Sequence, residues 1–242
     1  MFLPYRFKEW FWVVLDWLFP PVCGGCNRIG FRWCPDCQKN VMPVPEPVCQ
    51  ACGLPLSRFG LCSICNISPP PYKAMRSWVV FEGPIRHALH SLKYRRNVVL
   101  GDTLARYMAE YVEKLGWRAD MVVPVPLGRQ RMKERGYNQA GLLALPLSII
   151  QGWQYSPQAV LRIRETRSQV GLSAMERKEN LSTAFRADPS RVNGKVILLV
   201  DDVATTGATL AACSDAFIKA GAKAVYGLTL ARALPHHGLQ IV

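Results

Sequence analysis

Residues 196–209 combine the side chains and the spacing that a phosphorylated sugar requires of its binding site. Positions 196–200 are an apolar run without alternation, which predicts a strand buried on both faces of a parallel sheet. Two carboxylates, Asp201 and Asp202, follow where such a strand would emerge. A helical pattern over 210–220 comes after a small, hydroxyl-rich loop that consists of Thr205, Thr206, Gly207, Ala208 and Thr209.

The loop and the acids are suited to different parts of one ligand. The first turn of a helix has backbone N–H groups without partners, and these groups attract a phosphate together with the helix dipole. Gly207 lets the backbone approach that anion closely, and the loop has no Lys or Arg. Carboxylates accept hydrogen bonds from hydroxyls, so Asp201 and Asp202 are predicted to hold the cis-diol of a ribose. The competing interpretation is an ordinary strand, turn and capped helix.

A cluster of cations follows a second predicted strand at 120–126. If this segment were extended, its alternation would direct four side chains to one side: Arg129, Arg131, Lys133 and Arg135. Because ligands bind at the carboxyl ends of parallel strands, the segment is predicted to clamp a pyrophosphate group. Lys93, at the basic end of a predicted helix over 85–94, is a further candidate for phosphate binding. A solvated charged loop is the alternative.

Eight of the nine cysteines form four C-x-x-C pairs. Two such pairs can present four thiolates to one tetrahedral zinc ion, so the chain is predicted to hold two structural zinc ions. Spacing alone leaves an interleaved grouping open. Redox pairs are the competing interpretation, but these occur as a single C-x-x-C in a βαβ unit. The simplest grouping follows chain order, with Cys23, Cys26, Cys34 and Cys37 at one ion and Cys49, Cys52, Cys62 and Cys65 at the other.

The formal net charge of +13 is concentrated in the C-terminal part, since residues 1–72 carry +2 and residues 73–242 carry +11. A basic excess suits a polyanionic ligand such as a pyrophosphate or a nucleic acid, and a solvated basic surface is the alternative. A zinc ion held by four thiolates carries two net negative charges. The cysteine-rich module is therefore a poor nucleic-acid binder, and a structural or protein-docking role is favoured for it.

No apolar run reaches the roughly 20 residues that a membrane span needs. The aromatic segment over 6–18 is predicted to be a short helix that packs against a neighbour, with attachment to a membrane surface as the alternative. Without a signal-peptide pattern the expected compartment is the cytoplasm, where such cysteines bind metal. A proline-rich linker over 68–72 predicts a domain boundary, and the polar stretch over 164–173 is a candidate lid.

The loop with its two acids resembles the motif with which type I phosphoribosyltransferases bind phosphoribosyl pyrophosphate (PRPP). The whole chain resembles the ComF family, the competence-linked or GntX-like phosphoribosyltransferase homologues. Tyr137 stands where the family motif often has Phe. The motifs that carry the resemblance are P-P-V-C, the double zinc ribbon, L-K-Y, V-P-V-P-L, R-G-Y-N-Q, R-x-R-x-T-x-x-Q-x-x-L and V-D-D-V-A-T-T-G-A-T.

The resemblance implies an α/β fold in which a type I phosphoribosyltransferase domain over 73–242, a mainly parallel sheet flanked by helices, follows a zinc-ribbon module over 1–72. It implies binding of PRPP with Mg²⁺ at Asp201, Asp202 and residues 205–209. It also implies a part in handling imported single-stranded DNA, for natural transformation or nutrition, together with DNA-uptake proteins.

Two other functions stay open at this point. One is phosphoribosyl transfer to an unknown nitrogen acceptor, in which Asp201 and Asp202 orient the ribose and Arg135, with its basic neighbours, stabilises the departing pyrophosphate. The other is a docking adaptor that is built on the zinc module.

Overall fold

The computed structural model describes residues 20–94, 97–164 and 183–234. Five of its strands form a parallel sheet in the order β1-β7-β6-β2-β3, and β4 pairs with β5 in a separate antiparallel ribbon. The strands are β1 (Ala74–Val80), β2 (Met121–Pro124), β3 (Gln154–Tyr155), β4 (Val160–Arg162), β5 (Phe185–Ala187), β6 (Val196–Ala204) and β7 (Ala224–Arg232).

The described helices cover the two faces of this sheet, so the predicted α/β fold with a mainly parallel sheet is confirmed. Two short helices belong to the cysteine-rich part, and the others connect the strands. The helices are α1 (Pro35–Lys39), α2 (Ser63–Ile67), α3 (Gly83–Tyr94), α4 (Val98–Lys114), α5 (Arg129–Arg135), α6 (Gln139–Gln151), α7 (Pro189–Val192) and α8 (Ala208–Lys219).

The basic segment is not extended but forms the helix α5, so the condition under which its four cations would share one side is not met. Arg, Gln, Met, Lys and Glu are all strong helix formers, and Gly136, with φ of 77°, ends the helix in the left-handed conformation. Gln130 also donates to Glu134 at 3.0 Å, one turn later. Residues two apart on a helix point about 200° apart, so alternate cations such as Arg129 and Arg131 leave α5 on different sides.

The central strand β6 separates two hydrophobic clusters. Ile197 and Leu199 face one cluster, which also contains Leu210 and Phe217 of α8 and the cysteines Cys49, Cys52, Cys62 and Cys65. Leu198 and Val200 face the other, which contains apolar residues of α3, α4 and α6 and the cysteines Cys23, Cys34 and Cys37. The two halves of the cysteine-rich part therefore pack with opposite faces of one sheet.

The cysteine-rich part also covers the edge strand β1. The N–H of Met75 donates to Ala51 O at 2.7 Å, and the N–H of Val80 donates to Met42 O at 2.8 Å. Pro43 forms an antiparallel bridge with Val79. An uncovered edge strand would present unpaired backbone groups to other chains, so these bonds protect the sheet. The domain boundary at residue 72 stays a prediction.

Two predicted features fall outside the described residues: the aromatic helix over 6–18 and most of the candidate lid over 164–173. Within the described ranges, no helix has the length and apolar character to cross a membrane.

We predict that Gly53→Ala destabilises the protein far more than Gly30→Ala, although both residues have positive φ, +67° and +92°. A Cβ at Gly53 would lie 2.6 Å from the carbonyl oxygen of Met75, whereas one at Gly30 would meet nothing within 4 Å. Backbone strain costs about 1 kcal/mol in each variant, and the clash adds about 2 kcal/mol at Gly53. Urea unfolding of the zinc-loaded proteins measures both losses, and equal losses would refute the close packing on β1.

Candidate functional site

The cysteines form two clusters that follow chain order, which removes the interleaved grouping. Within each cluster the four Sγ atoms all lie within 4.8 Å of one another. The Sγ–Sγ distances are 3.6 Å for Cys23–Cys37 and 3.8 Å for Cys52–Cys62. Zinc–sulfur bonds of about 2.3 Å in a tetrahedron place sulfurs about 3.8 Å apart, so the clusters fit zinc. The clusters are Cys23, Cys26, Cys34, Cys37 and Cys49, Cys52, Cys62, Cys65.

Backbone N–H groups donate to sulfurs of both clusters, and at one cysteine of each cluster they favour the thiolate form. Cys34 N–H donates to Cys23 Sγ at 3.3 Å, and Cys62 N–H donates to Cys49 Sγ at 3.3 Å. Burial acts to raise the pKa of Cys23, but these backbone bonds outweigh it and lower that pKa to about 6. The same balance lowers the pKa of Cys49 to about 7. Thiolates are the form in which cysteine binds zinc, so the donor set suits the metal.

Asp201 and Asp202 both belong to β6, which continues to Ala204 rather than ending at residue 200. Asp202 is buried, its Oδ2 lies 2.6 Å from Lys93 Nζ, and its Oδ1 accepts the N–H of Val203 at 2.9 Å. Asp201 Oδ1 accepts the N–H of Asp202 at 2.8 Å. The two carboxylates are therefore fixed by backbone donors at the carboxyl end of the central strand.

The electrostatic environment distinguishes the two acids. Burial raises the pKa of Asp201 well above its ordinary value, the charge of Asp202 raises it further, and Lys93 acts in the opposite direction. Cys213 of α8 lies close enough to Asp201 for the carboxylate to raise the thiol pKa, although burial is the larger cause. Asp202 is thus paired with a cation from α3, whereas burial is the main cause of the raised pKa of Asp201.

The loop after β6 leads directly into α8, at the place where the sequence predicts an anion site. Gly207 has φ of 78° and precedes Ala208, the first residue of α8. Thr206 Oγ1 accepts the N–H of Ala208 at 3.3 Å, and both Thr205 and Thr206 are exposed. The N–H groups of the first helical turn are therefore directed at an open, hydroxyl-lined position. Thr209 is half-buried in that turn.

Residues that are buried together with the second cysteine cluster pack against Gly207 of this loop. A Cβ at Gly207 would lie 3.2 Å from Met75 Cε and 3.5 Å from the hydroxyl of Tyr72, and both residues are buried with that cluster. Arg232, at the end of β7, is buried and donates to Cys52 O at 2.7 Å. No motif in the sequence points to this role of Arg232, and the available signal is a lone cation at the end of an apolar strand.

Two of the basic residues predicted at phosphates have partners within the protein. Lys93, expected at a phosphate, pairs with Asp202, and its role at a phosphate stays a prediction. Arg135, expected at a pyrophosphate, donates to Gln139 Oε1 at 2.8 Å and lies over the ring of Tyr94. Arg129 and Arg131 are exposed on α5, which follows β2 at the same carboxyl edge of the sheet as the acids. Their roles at a phosphate stay predictions.

Comparison with known proteins gives two family matches along the chain. A double zinc ribbon domain model matches residues 14–66, and a phosphoribosyl transferase domain model matches residues 93–235. Both matches agree with the geometry, since the first contains the two cysteine clusters and the second contains Asp201, Asp202 and the loop.

Relatives with curated names resemble the chain over most of its length. The DNA utilization protein YhgH of Escherichia coli K12 is 36% identical over 78% of this chain and 86% of its own length. Competence protein F of Haemophilus influenzae is 33% identical over 83% of this chain and 90% of its own. Competence protein ComFC of Bacillus subtilis is 26% identical over 82% of this chain and 83% of its own. With two zinc-ribbon clusters placed before a phosphoribosyltransferase domain, this chain belongs to the ComF family.

Proposed function

We propose that this protein binds PRPP or a related phosphorylated ribose and takes part in handling imported single-stranded DNA. The observation that carries the proposal is the position of the acid pair of β6. The pair lies beside the loop of Thr205, Thr206 and Gly207, called the glycine loop below, and beside the start of α8. The names of the relatives, a DNA utilization protein and two competence proteins, support the second half.

In this proposal the 5′-phosphate of the ribose lies at the first turn of α8, where backbone N–H groups and the hydroxyls of Thr205 and Thr206 can donate to it. The ribose hydroxyls then reach Asp201 and Asp202 at the end of β6. Lys93 balances the charge of Asp202, which keeps the pair from repelling a polyanionic ligand. Magnesium would accompany the pyrophosphate of PRPP and neutralise part of its charge.

The DNA half of the proposal rests on charge and on placement. Residues 73–242 carry a formal charge of +11, and α5 contributes three exposed cations, Arg129, Arg131 and Lys133. Phosphates of a single strand are bound by such cations with release of counterions. Because α5 lies at the carboxyl edge of the sheet, a strand held there would pass near the ribose site.

A true phosphoribosyl transfer is the second candidate, favoured by the match of residues 93–235 to the transferase domain model. Catalysis would then consist of positioning the ribose on Asp201 and Asp202 and stabilising the departing pyrophosphate with cations. A docking adaptor built on the zinc module is less well supported than these two functions. The contacts of the module with β1 and near Gly207 already give it a structural role within this chain.

A paired titration separates these functions. Calorimetry of the zinc-loaded protein with PRPP and Mg²⁺ reports the ribose site, and fluorescence anisotropy with a labelled single strand reports DNA binding. PRPP consumption with pyrophosphate release in a nucleobase screen would favour the transferase. Salt-sensitive strand binding without turnover is the result we expect, and binding of neither ligand would refute the proposal.

We predict that Asp201→Asn combined with Asp202→Asn weakens PRPP binding at least about 100-fold, because two hydrogen bonds to charged groups contribute about 1.5–3 kcal/mol each. Calorimetry measures the affinity, and circular dichroism confirms that the variant is folded. Asp215→Asn is the matched control, since this carboxylate pairs with Lys219 on the surface of α8. An unchanged PRPP affinity in the double variant would remove both acids from the site.

We predict that changing Arg129, Arg131 and Lys133 to Ala weakens single-strand binding and flattens its salt dependence. Each lost phosphate contact reduces the slope of log K against log salt by about 0.7. The control triple variant changes Arg118, Lys195 and Lys223 to Ala. These residues are also exposed cations, but they precede β2, β6 and β7 at the opposite edge of the sheet. If both triple variants lose the same slope, DNA binding has no preference for α5.

A further inference from the structure

Tyr94 is an exposed aromatic residue whose chain neighbour pairs with one of the two acids. It is the last residue of α3, and 63% of its surface is exposed. The preceding residue, Lys93, reaches Asp202 with a distance of 2.6 Å between Nζ and Oδ2. Tyr94 therefore belongs to the same turn of α3 as the lysine that pairs with Asp202.

Two polar groups flank this ring. The guanidinium carbon of Arg135 lies 5.3 Å from the ring centroid, within the range of a cation–π interaction. The ring of His90, one helical turn earlier, lies 4.8 Å away at an angle of 43°. Gln139 is buried and accepts from Arg135 at 2.8 Å, so the guanidinium is itself held in place. The orientation of the exposed ring is consequently defined by its neighbours.

Hydrogen bonds also hold the end of α3 to the helices that carry the basic residues. The hydroxyl of Tyr137 donates to the carbonyl of Leu92, and the side chain of Asn138 donates to Val125 O at 2.9 Å. Asn138 caps α6, directly after α5 and Gly136. Tyr94 and the cations of α5 are thus fixed relative to each other at one edge of the sheet.

From this arrangement we infer that Tyr94 is the stacking site for a nucleobase of single-stranded DNA, with the cations of α5 binding the neighbouring phosphates. Stacking on an aromatic ring beside a basic groove is how proteins hold single strands without reading their sequence. The ring is bordered by the guanidinium of Arg135 and the imidazole of His90, and a cation beside the ring suits a base in a polyanion. The inference rests on the proposed DNA handling and is independent of PRPP binding.

The test compares a labelled oligothymidine with an abasic strand of the same length, by fluorescence anisotropy with the full zinc-loaded chain. Tyr94→Ala should weaken oligothymidine binding about 10-fold. The salt slope should stay unchanged because no phosphate contact is lost. Tyr94→Phe should bind like the wild type, and the abasic strand should not distinguish any of the three proteins. Phe59→Ala, which removes an 83% exposed ring from the zinc module, is the control that should have no effect.

A strand containing 2-aminopurine gives a direct readout, because stacking on Tyr94 should quench its fluorescence in the wild type and in Tyr94→Phe but not in Tyr94→Ala. Equal affinity and equal quenching in the wild type and Tyr94→Ala would overturn the inference while leaving the DNA function intact. Absence of strand binding by the wild type would overturn both, and PRPP calorimetry would still report on the ribose site.

Discussion

The hydrogen bond from Arg232 to the carbonyl of Cys52 joins the metal-binding part of the chain to the strand beside the candidate site. Arg232 lies opposite Ala204 in the register of β7 and β6, so this bond is formed where β6 passes into the glycine loop. Met75 and Tyr72 fill the space between the same cysteine cluster and Gly207. A zinc ion bound by four thiolates would hold the turn between Cys49 and Cys52 in one conformation. Gly207 would then keep its positive φ while it packs against rigid neighbours.

The surroundings of Asp201 and Asp202 offset part of the negative charge of this acid pair. Two adjacent carboxylates at the end of a buried strand would repel each other, yet Asp202 gains a cation from α3. The pair thus presents carboxylate oxygens as acceptors to hydroxyl groups, and Lys93 offsets part of its charge. That arrangement is compatible with a phosphorylated ligand, which a doubly ionised pair without Lys93 would repel.

Local signals predicted much of this arrangement, and non-local contacts account for the rest. The apolar run of β6 and the small residues of the glycine loop indicate strand and loop by composition alone. The alternation of cations in α5 suggested an extended chain, but helix propensity and Gly136 determine its structure. The contacts of Lys93 with Asp202 and of Arg232 with Cys52 join distant segments, and no local pattern specifies such pairs.

The acid pair and the cations of α5 lie at the same edge of the sheet, and the end of α3 also connects them. Lys93 and Tyr94 are consecutive residues, so the acid pair and the exposed ring are attached to the same turn of α3. That turn is bonded to Tyr137, and Arg135 joins Tyr94 to α5, so α3, α5 and β6 form one connected unit around the site. The proposed ribose and strand sites are therefore attached to one element, the last turn of α3.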